Sequence, residues 1–357
     1  MKKLTIALAA TAALILGFGT AAEAAGKTKV CFVYPGSRTD GGWSQAHDMG
    51  RMAVEKEFGS KVETAYLENI AEGPDSERAI ERMARSGCNI VFTASFGYMD
   101  PTIAVAKKFP NVKFEHATGF KTATNMATYN SRFYEGRYIA GVIAGKVSKN
   151  GVAGYVATFP IPEVVMGINS FEQGAKSVNP NFKMKVIWIN TWFDPGKEAD
   201  AAKALIDQGS DVLTQQTDST APMQVAEQRG IPAFGMSSDM IKAGPHVQLT
   251  SLEDTWGPYY ISRVKALMDG TWKSQQNWDG LKDGILTMAP YTNMPDDVKK
   301  LAMDTEAGIK AGLIAPFTGP INKQDGSPWL KAGEKADDKT LLGMNFYVEG
   351  VDDKLPE

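Results

Sequence analysis

Short, uniformly apolar runs rich in β-branched and aromatic residues recur along the chain, separated by longer stretches with helical spacing. Runs at 28–34, 62–67, 89–94, 112–115 and 126–129 read as strands, and 43–58, 76–85, 102–109 and 134–146 read as helices. A second series starts at 152–157 and continues through 184–190, 212–215, 233–236 and 247–251. Its helices fall at 163–178, 197–208 and 223–229. Such alternation is the signature of βαβ units wound on a parallel sheet. Beyond residue 251 the pattern predicts a helix at 259–268, a strand at 284–288, a helix at 295–311 and a turn-rich end.

The two series echo each other. Met83-Ala84-Arg85-Ser86-Gly87-Cys88-Asn89-Ile90-Val91-Phe92 is matched by Leu205-Ile206-Asp207-Gln208-Gly209-Ser210-Asp211-Val212-Leu213-Thr214. In both, a helix ends at a glycine suited to a left-handed cap, and a buried strand follows. The expected fold class is α/β, with two doubly wound, Rossmann-like lobes joined by a hinge. Lobe 1 is assigned 25–147 with part of 252–300, and lobe 2 is assigned 148–251 with part of 300–357. Paired lobes of this kind bind ligands at the crevice where strand C-termini face one another.

The first 24 residues lie outside that pattern. Lys2 and Lys3 precede an apolar run over 4–18, and Ala22-Glu23-Ala24 supplies the small residues that signal peptidase reads. The run is shorter than the roughly 20 residues a bilayer crossing needs. No cysteine stands at the cleavage point to take a lipid. The expectation is a leader cleaved before Ala25 and a mature protein in the periplasm. The formal charge of -3, on 357 residues of which 22% are charged, offers no basic footprint for nucleic acid. An exported chain can form disulfides. Cys31 and Cys88 could bridge if the first and third runs are neighbours, but the expected state is two buried thiols acting as small hydrophobes.

Catalytic patterns are scarce. His47, His116 and His246 lack metal-ligand spacing, and two cysteines are too few for a thiolate site, so no metal or cofactor is expected. Gly141-Val142-Ile143-Ala144-Gly145-Lys146 imitates a phosphate-binding loop but is one residue short between its glycines and lies in a helical pattern. Close helix packing is its simpler use. No Gly-x-Ser-x-Gly elbow occurs.

Several segments, spread over about 29–316, resemble the basic membrane protein family of ABC-transporter substrate-binding proteins, the purine-nucleoside receptor type. Gly41-Gly42-Trp43-Ser44-Gln45 sits where that family has Ser-Phe-Asn-Gln, and Phe96-Gly97-Tyr98 looks like its Gly-Phe-Gly loop. Glu135-Gly136-Arg137-Tyr138-Ile139-Ala140-Gly141 is similar to its Glu-Gly-x-Phe-Leu-Ala-Gly helix. Ser177-Val178-Asn179-Pro180, Trp192-Phe193-Asp194-Pro195 and Thr250-Ser251-Leu252 fall in the same order. The resemblance implies a type I periplasmic binding protein, not an enzyme, that closes on a small molecule and serves an inner-membrane ABC permease as a monomer.

It also implies a purine clasped between two aromatics. Trp43 matches the first, and Trp192 or Phe193 matches the second, because the alignment slips by one residue there. Ser44 and Phe96 come with the matched segments. The departures fall on polar groups. Tyr34 stands where the family has a base-reading aspartate after its first strand, and Thr118 where another aspartate follows its fourth. Ser237, two residues before Asp239, replaces a ribose-binding aspartate, and Asp254 or Glu253 replaces a lysine. A buried site that loses its hydroxyl partners changes ligand and does not merely weaken. The expected ligand is therefore a free purine base, adenine first, with Trp256 filling sugar space. A purine nucleoside is the alternative, and a periplasmic nucleoside hydrolase is a more distant one.

Overall fold

The structure is a computed structural model that describes residues 26–356, so the leader lies outside the described residues. The first series gives β1 (Thr28–Val33), α1 (Trp43–Phe58), β2 (Val62–Leu67), α2 (Pro74–Arg85), β3 (Ile90–Thr93), α3 (Met99–Lys108), β4 (Lys113–Ala117) and β5 (Met126–Ser131). The second gives α4 (Phe133–Val147), β6 (Val152–Ala157), α5 (Pro162–Lys176), β7 (Lys183–Trp188), α6 (Pro195–Asp207), β8 (Val212–Gln216), α7 (Ala221–Arg229), β9 (Ala233–Ser237) and β10 (Gln248–Asp254). Then come α8 (Gly257–Met268), β11 (Gln276–Asp279), β12 (Leu286–Met288) and α9 (Asp296–Lys310).

Two six-stranded sheets result, ordered β11-β5-β4-β3-β1-β2 and β12-β10-β9-β8-β6-β7. Each contains the doubly wound order 2-1-3-4-5 plus one added edge strand. β11 is parallel to its neighbour, and β12 is antiparallel. Central strands are buried on both faces, which is why β3, β5 and β8 read as continuous runs and not as alternating ones. Helix ends follow local chemistry. α2 opens on Pro74 with Asp75 and Glu77 in its first turn and closes on Arg82 and Arg85, matching the helix dipole. Gly87 and Gly209, the two echoed glycines, both take the positive φ that the chain reversal requires.

The chain passes between lobes earlier than the sequence suggests. α4, assigned above to lobe 1, packs on α5 and β10, so the first crossing is at Ser131–Arg132 and not near 147. Its glycines explain the attachment. A Cβ at Gly141 would lie 2.0 Å from the Phe171 carbonyl oxygen, and one at Gly174 would lie 2.1 Å from that of Tyr138. The loop-like Gly141–Lys146 motif is thus a close helix contact. The chain returns to lobe 1 for α8, which packs on α1, and for β11, then crosses back for β12 and α9. Three strands of chain form the hinge. The end of the chain is more than turns: a two-stranded hairpin and a short helix, Asp338–Leu342, cover lobe 2.

One expectation is corrected outright. Cys31 and Cys88 form a disulfide, with Cα atoms 6.0 Å apart. β1 and β3 are adjacent and parallel, and Cys88 lies two residues before β3, which brings the sulfurs together. Among the described residues, no helix is long and apolar enough to cross a membrane.

Candidate functional site

The strand C-termini of the two sheets face one another across a cavity lined from both lobes. Lobe 1 contributes Pro35 after β1, Trp43 at the start of α1, Ser95 and Phe96 after β3, and Thr118 after β4. Lobe 2 contributes Ile161 and Glu163 at the start of α5, Trp192 after β7, Gln216 and Asp218 at the end of β8, and Met236 and Ser237 at the end of β9. Thr118 and Ser237 both have positive φ (61° and 63°), a strained turn at the two matching strand ends.

Trp43 and Trp192 stand on opposite lobes. The Trp43 Nε1 donates to the Ala94 carbonyl at 2.7 Å, and its ring meets His47 and Trp256 edge-on. The Trp192 Nε1 donates to Glu72 Oε1 at 3.1 Å, and its ring lies 5.1 Å from that of Phe159. Glu72 also accepts from Ser95 Oγ at 2.6 Å and Gly97 N at 3.0 Å, so one carboxylate ties the Phe96 loop of lobe 1 to the tryptophan of lobe 2. Ser238 Oγ donates to the Gly41 carbonyl, and a Cβ on Gly42 would stand 2.4 Å from the Asp218 carbonyl oxygen. The lobes are closed on each other.

The loop before α1 is organised by Asp40. Its carboxylate accepts from the backbone N–H groups of Gly42, Ser44 and Gln45 at 2.9, 2.9 and 3.1 Å, holding the helix start that presents Trp43. Ser44 belongs to that scaffold. Fully buried, its Oγ accepts from Gly36 N at 3.1 Å, and it is off the cavity wall.

The remaining predicted positions divide. Trp43, Phe96, Thr118, Trp192 and Ser237 converge on one cavity, from both lobes. Tyr34 is fully buried in lobe 1 and donates to Asp48 at 3.4 Å; burial raises its pKa well above the usual phenol value. Phe193 is 40% exposed and lines an outer groove, so the one-residue slip resolves in favour of Trp192 on the wall. Asp239 is exposed and accepts from Gln248 Nε2 at 2.7 Å. Asp254 lies behind Ser237 with neither carboxylate oxygen hydrogen-bonded, and burial pushes its pKa well up. Trp256, expected in sugar space, is buried and stacked on His47 at 4.9 Å, off the wall. Glu115 locks lobe 1 instead, accepting from Tyr259, Arg263 and Trp272.

Among the wall residues that went unread in the sequence are three polar ones of lobe 2: Glu163, Gln216 and Asp218. Asp218 is buried, and its pKa is pushed well above the carboxylate range first by burial and then by the charges of Asp40, Glu198 and Asp254. Burial pushes Glu163 up to about 7, against its hydrogen bond from Asn130 Nδ2 at 3.1 Å and the charge of Arg137. Gln216 Oε1 accepts from Tyr155 at 2.8 Å, which turns its amide N–H toward Glu163 at 3.4 Å. The signal was positional: Gln216 and Asp218 fall just past the predicted strand at 212–215 and Glu163 opens the predicted helix after 152–157, the end of an open α/β sheet where ligand groups are placed. Arg137, the nearby cation, is fully buried and engaged with Thr214 Oγ1 at 2.9 Å and the Gln215 carbonyl at 2.6 Å. A phosphate here would meet acids and no free cation.

Residues 27–325 match the family described as PnrA-like ABC-transporter substrate-binding proteins. A purine-binding protein of Brucella abortus (strain 2308) is 67% identical over 97% of this chain and 99% of its own. A protein of Haloferax volcanii, provisionally named an ABC-transporter glucose-binding protein, is 38% identical over 91% of this chain and 80% of its own. Among solved structures, a solute-binding protein from Aeropyrum pernix K1 superposes with a TM-score of 0.70, at 17% identity over 88% of this chain and 95% of its own. One from Conexibacter woesei does so with a TM-score of 0.64, at 21% identity over 81% of this chain and 98% of its own, and both support the two-lobed fold alone. The extent of the family match, together with facing strand ends closed over a cavity, makes this chain a member of the basic membrane protein (PnrA-like) family of ABC-transporter substrate-binding proteins, and thus a binding protein and not an enzyme.

Proposed function

We propose that this protein is the periplasmic receptor of an ABC importer, and that it carries a free purine base, adenine first, to the inner-membrane permease. The observation that carries the reading is the pairing of Trp43 and Trp192 on opposite walls of one closed cavity. A flat heteroaromatic ring between two indoles gains about 0.5–1.5 kcal/mol per stacked pair beyond area burial. Closure then follows from ligand contacts made to both lobes at once, which shift the balance of open and closed forms. The closed form, as a monomer, is what the permease meets.

The edge chemistry supports a base that bears both donors and acceptors. A carboxyl group held neutral donates to a ring nitrogen and accepts from an adjacent amine, the arrangement of the adenine edge. The acids on the wall disfavour nucleotides, because no free cation compensates a phosphate. A nucleoside is disfavoured because Ser237 stands on the wall where the resemblance places a ribose-binding aspartate, and neither Asp239 nor Asp254 reaches the wall to replace it. The 67% identical relative from Brucella abortus is named a purine-binding protein, which supports a purine ligand. Calorimetric titration with adenine, inosine, guanosine and glucose tests this, with adenine expected to bind tightest. Inosine or guanosine binding far more tightly than adenine overturns the free-base reading, and glucose binding tightest overturns the purine reading.

A further inference from the structure

Glu163 has an unusual set of partners. Its Oε2 accepts from Asn130 Nδ2 at 3.1 Å, and its Oε1 faces Gln216 Nε2 at 3.4 Å. Both amides are fixed in orientation from outside. Asn130 Oδ1 accepts from the Ser131 backbone N–H at 2.7 Å, and Gln216 Oε1 accepts from the Tyr155 hydroxyl at 2.8 Å. In this arrangement both amides present N–H and not C=O to Glu163. A carboxylic acid here therefore finds no acceptor among its protein partners, and its O–H is left to whatever occupies the cavity it lines.

We propose that Glu163 is the specificity-determining residue of the cleft, reading a donor–acceptor purine edge as a carboxylic acid and a two-donor purine edge as a carboxylate. The inference rests on the purine reading above. Adenine presents a ring acceptor beside an amine donor, which pairs with a neutral carboxyl through two parallel hydrogen bonds. Guanine presents a ring N–H beside an amine, two donors that suit an ionised carboxylate. The same side chain thus favours one base or the other according to its proton.

The surroundings place that proton near neutrality. Burial raises Glu163 to about 7, while the Asn130 hydrogen bond and the Arg137 guanidinium on α4 oppose the rise. The other groups facing it are Tyr155 on β6 and Asp254 at the end of β10, both electrostatically linked to it, with Asp218 on the same cavity wall. With a raised pKa, the acid form dominates below about 7 and is lost above it. Adenine affinity should then be highest at the acid end and fall as pH rises, and guanine affinity should move the opposite way.

The test is a tryptophan-fluorescence titration of the full mature protein with adenine and with guanine, at about pH 5.5 and about pH 8, spanning that value. The expected result is an adenine-to-guanine affinity ratio that falls at least about tenfold between the two conditions. In Glu163→Gln, whose amide keeps a donor and an acceptor, adenine should bind at both pH values and the ratio should stop changing. In Asp218→Asn the pH dependence should persist. A ratio that stays flat in the unmodified protein overturns the inference while leaving the purine reading standing. So does a dependence that survives Glu163→Gln but vanishes in Asp218→Asn. If neither base binds at either pH, the purine reading falls and this inference falls with it.

Discussion

The two lobes share a strand order but present different chemistry to the cleft. Lobe 1 offers Pro35, Trp43, Ser95, Phe96 and Thr118, none of which ionises in the working pH range, whereas lobe 2 offers Glu163, Gln216 and Asp218 beside Trp192. The reason is where lobe 1 commits its charges. Asp40 is occupied by the backbone at the start of α1, Asp48 by Arg51 at 2.6 Å, and Glu115 by three donors from α8 and the segment after it. Lobe 1 thereby holds a fixed apolar platform, and lobe 2 supplies polar groups for the edge of whatever lies on it. On the proposed reading each lobe supplies one stacking indole, and lobe 2 alone adds ionisable groups.

That contrast can be broken at four places. The largest effect concerns rigidity. Lobe 1 carries the Cys31–Cys88 bridge, and among the described residues lobe 2 has no counterpart. Replacing both cysteines by serine should cost lobe 1 about 2–4 kcal/mol. Amide exchange read by mass spectrometry should show the loss in β1–β3 and not in β6–β8. Equal loosening of both lobes would remove the idea of a separately stiffened platform. The second effect concerns closure. Gly42→Ala forces a methyl group against the Asp218 carbonyl across the cleft, so adenine affinity should drop at least about a hundredfold, near 2.7 kcal/mol, with little change in thermal unfolding of the unliganded protein. Calorimetry showing unchanged affinity would mean that the lobes need not approach this closely to bind.

The third concerns stacking. Trp43→Ala should weaken adenine binding at least about tenfold. An unchanged dissociation constant would return Trp43 to a packing role against His47 and Trp256.

How much of this was legible depends on whether a residue's role follows from local pattern or from a neighbour brought in by the fold. The buried central strands were readable because parallel strands covered on both faces leave continuous apolar runs. β11, Gln276-Asn277-Trp278-Asp279, was not, because this polar edge strand is defined by its pairing with β5 and not by its own sequence. α4 was seen as a helix but given to the wrong lobe, since its glycines show close packing without naming the partner. The disulfide likewise needed the adjacency of β1 and β3, which no spacing rule supplies. Glu163 and Asp218 look like ordinary surface acids in sequence. Only lobe 1, packed over these strand ends, removes their water and gives them a site's chemistry.

The smallest expected effects settle which aromatic of the Trp192-Phe193 pair does the work. The two are adjacent, yet lobe closure treats them oppositely. Trp192 is turned onto the cavity and held by Glu72 from lobe 1, while Phe193 faces an outer groove and remains 40% exposed. Trp192→Phe keeps a ring for stacking but removes the bond to Glu72, so it should weaken adenine about three- to tenfold, the range of one net hydrogen bond. Glu72→Gln should reproduce part of that loss, since its remaining amide oxygen can still accept from the indole. Phe193→Ala should change affinity by less than about twofold, because an exposed ring outside the cavity gains nothing from stacking on a ligand within it. If calorimetry instead finds Phe193→Ala the more damaging substitution, lobe 2 rotates its loop between open and closed forms, and the stacking wall must be assigned to Phe193.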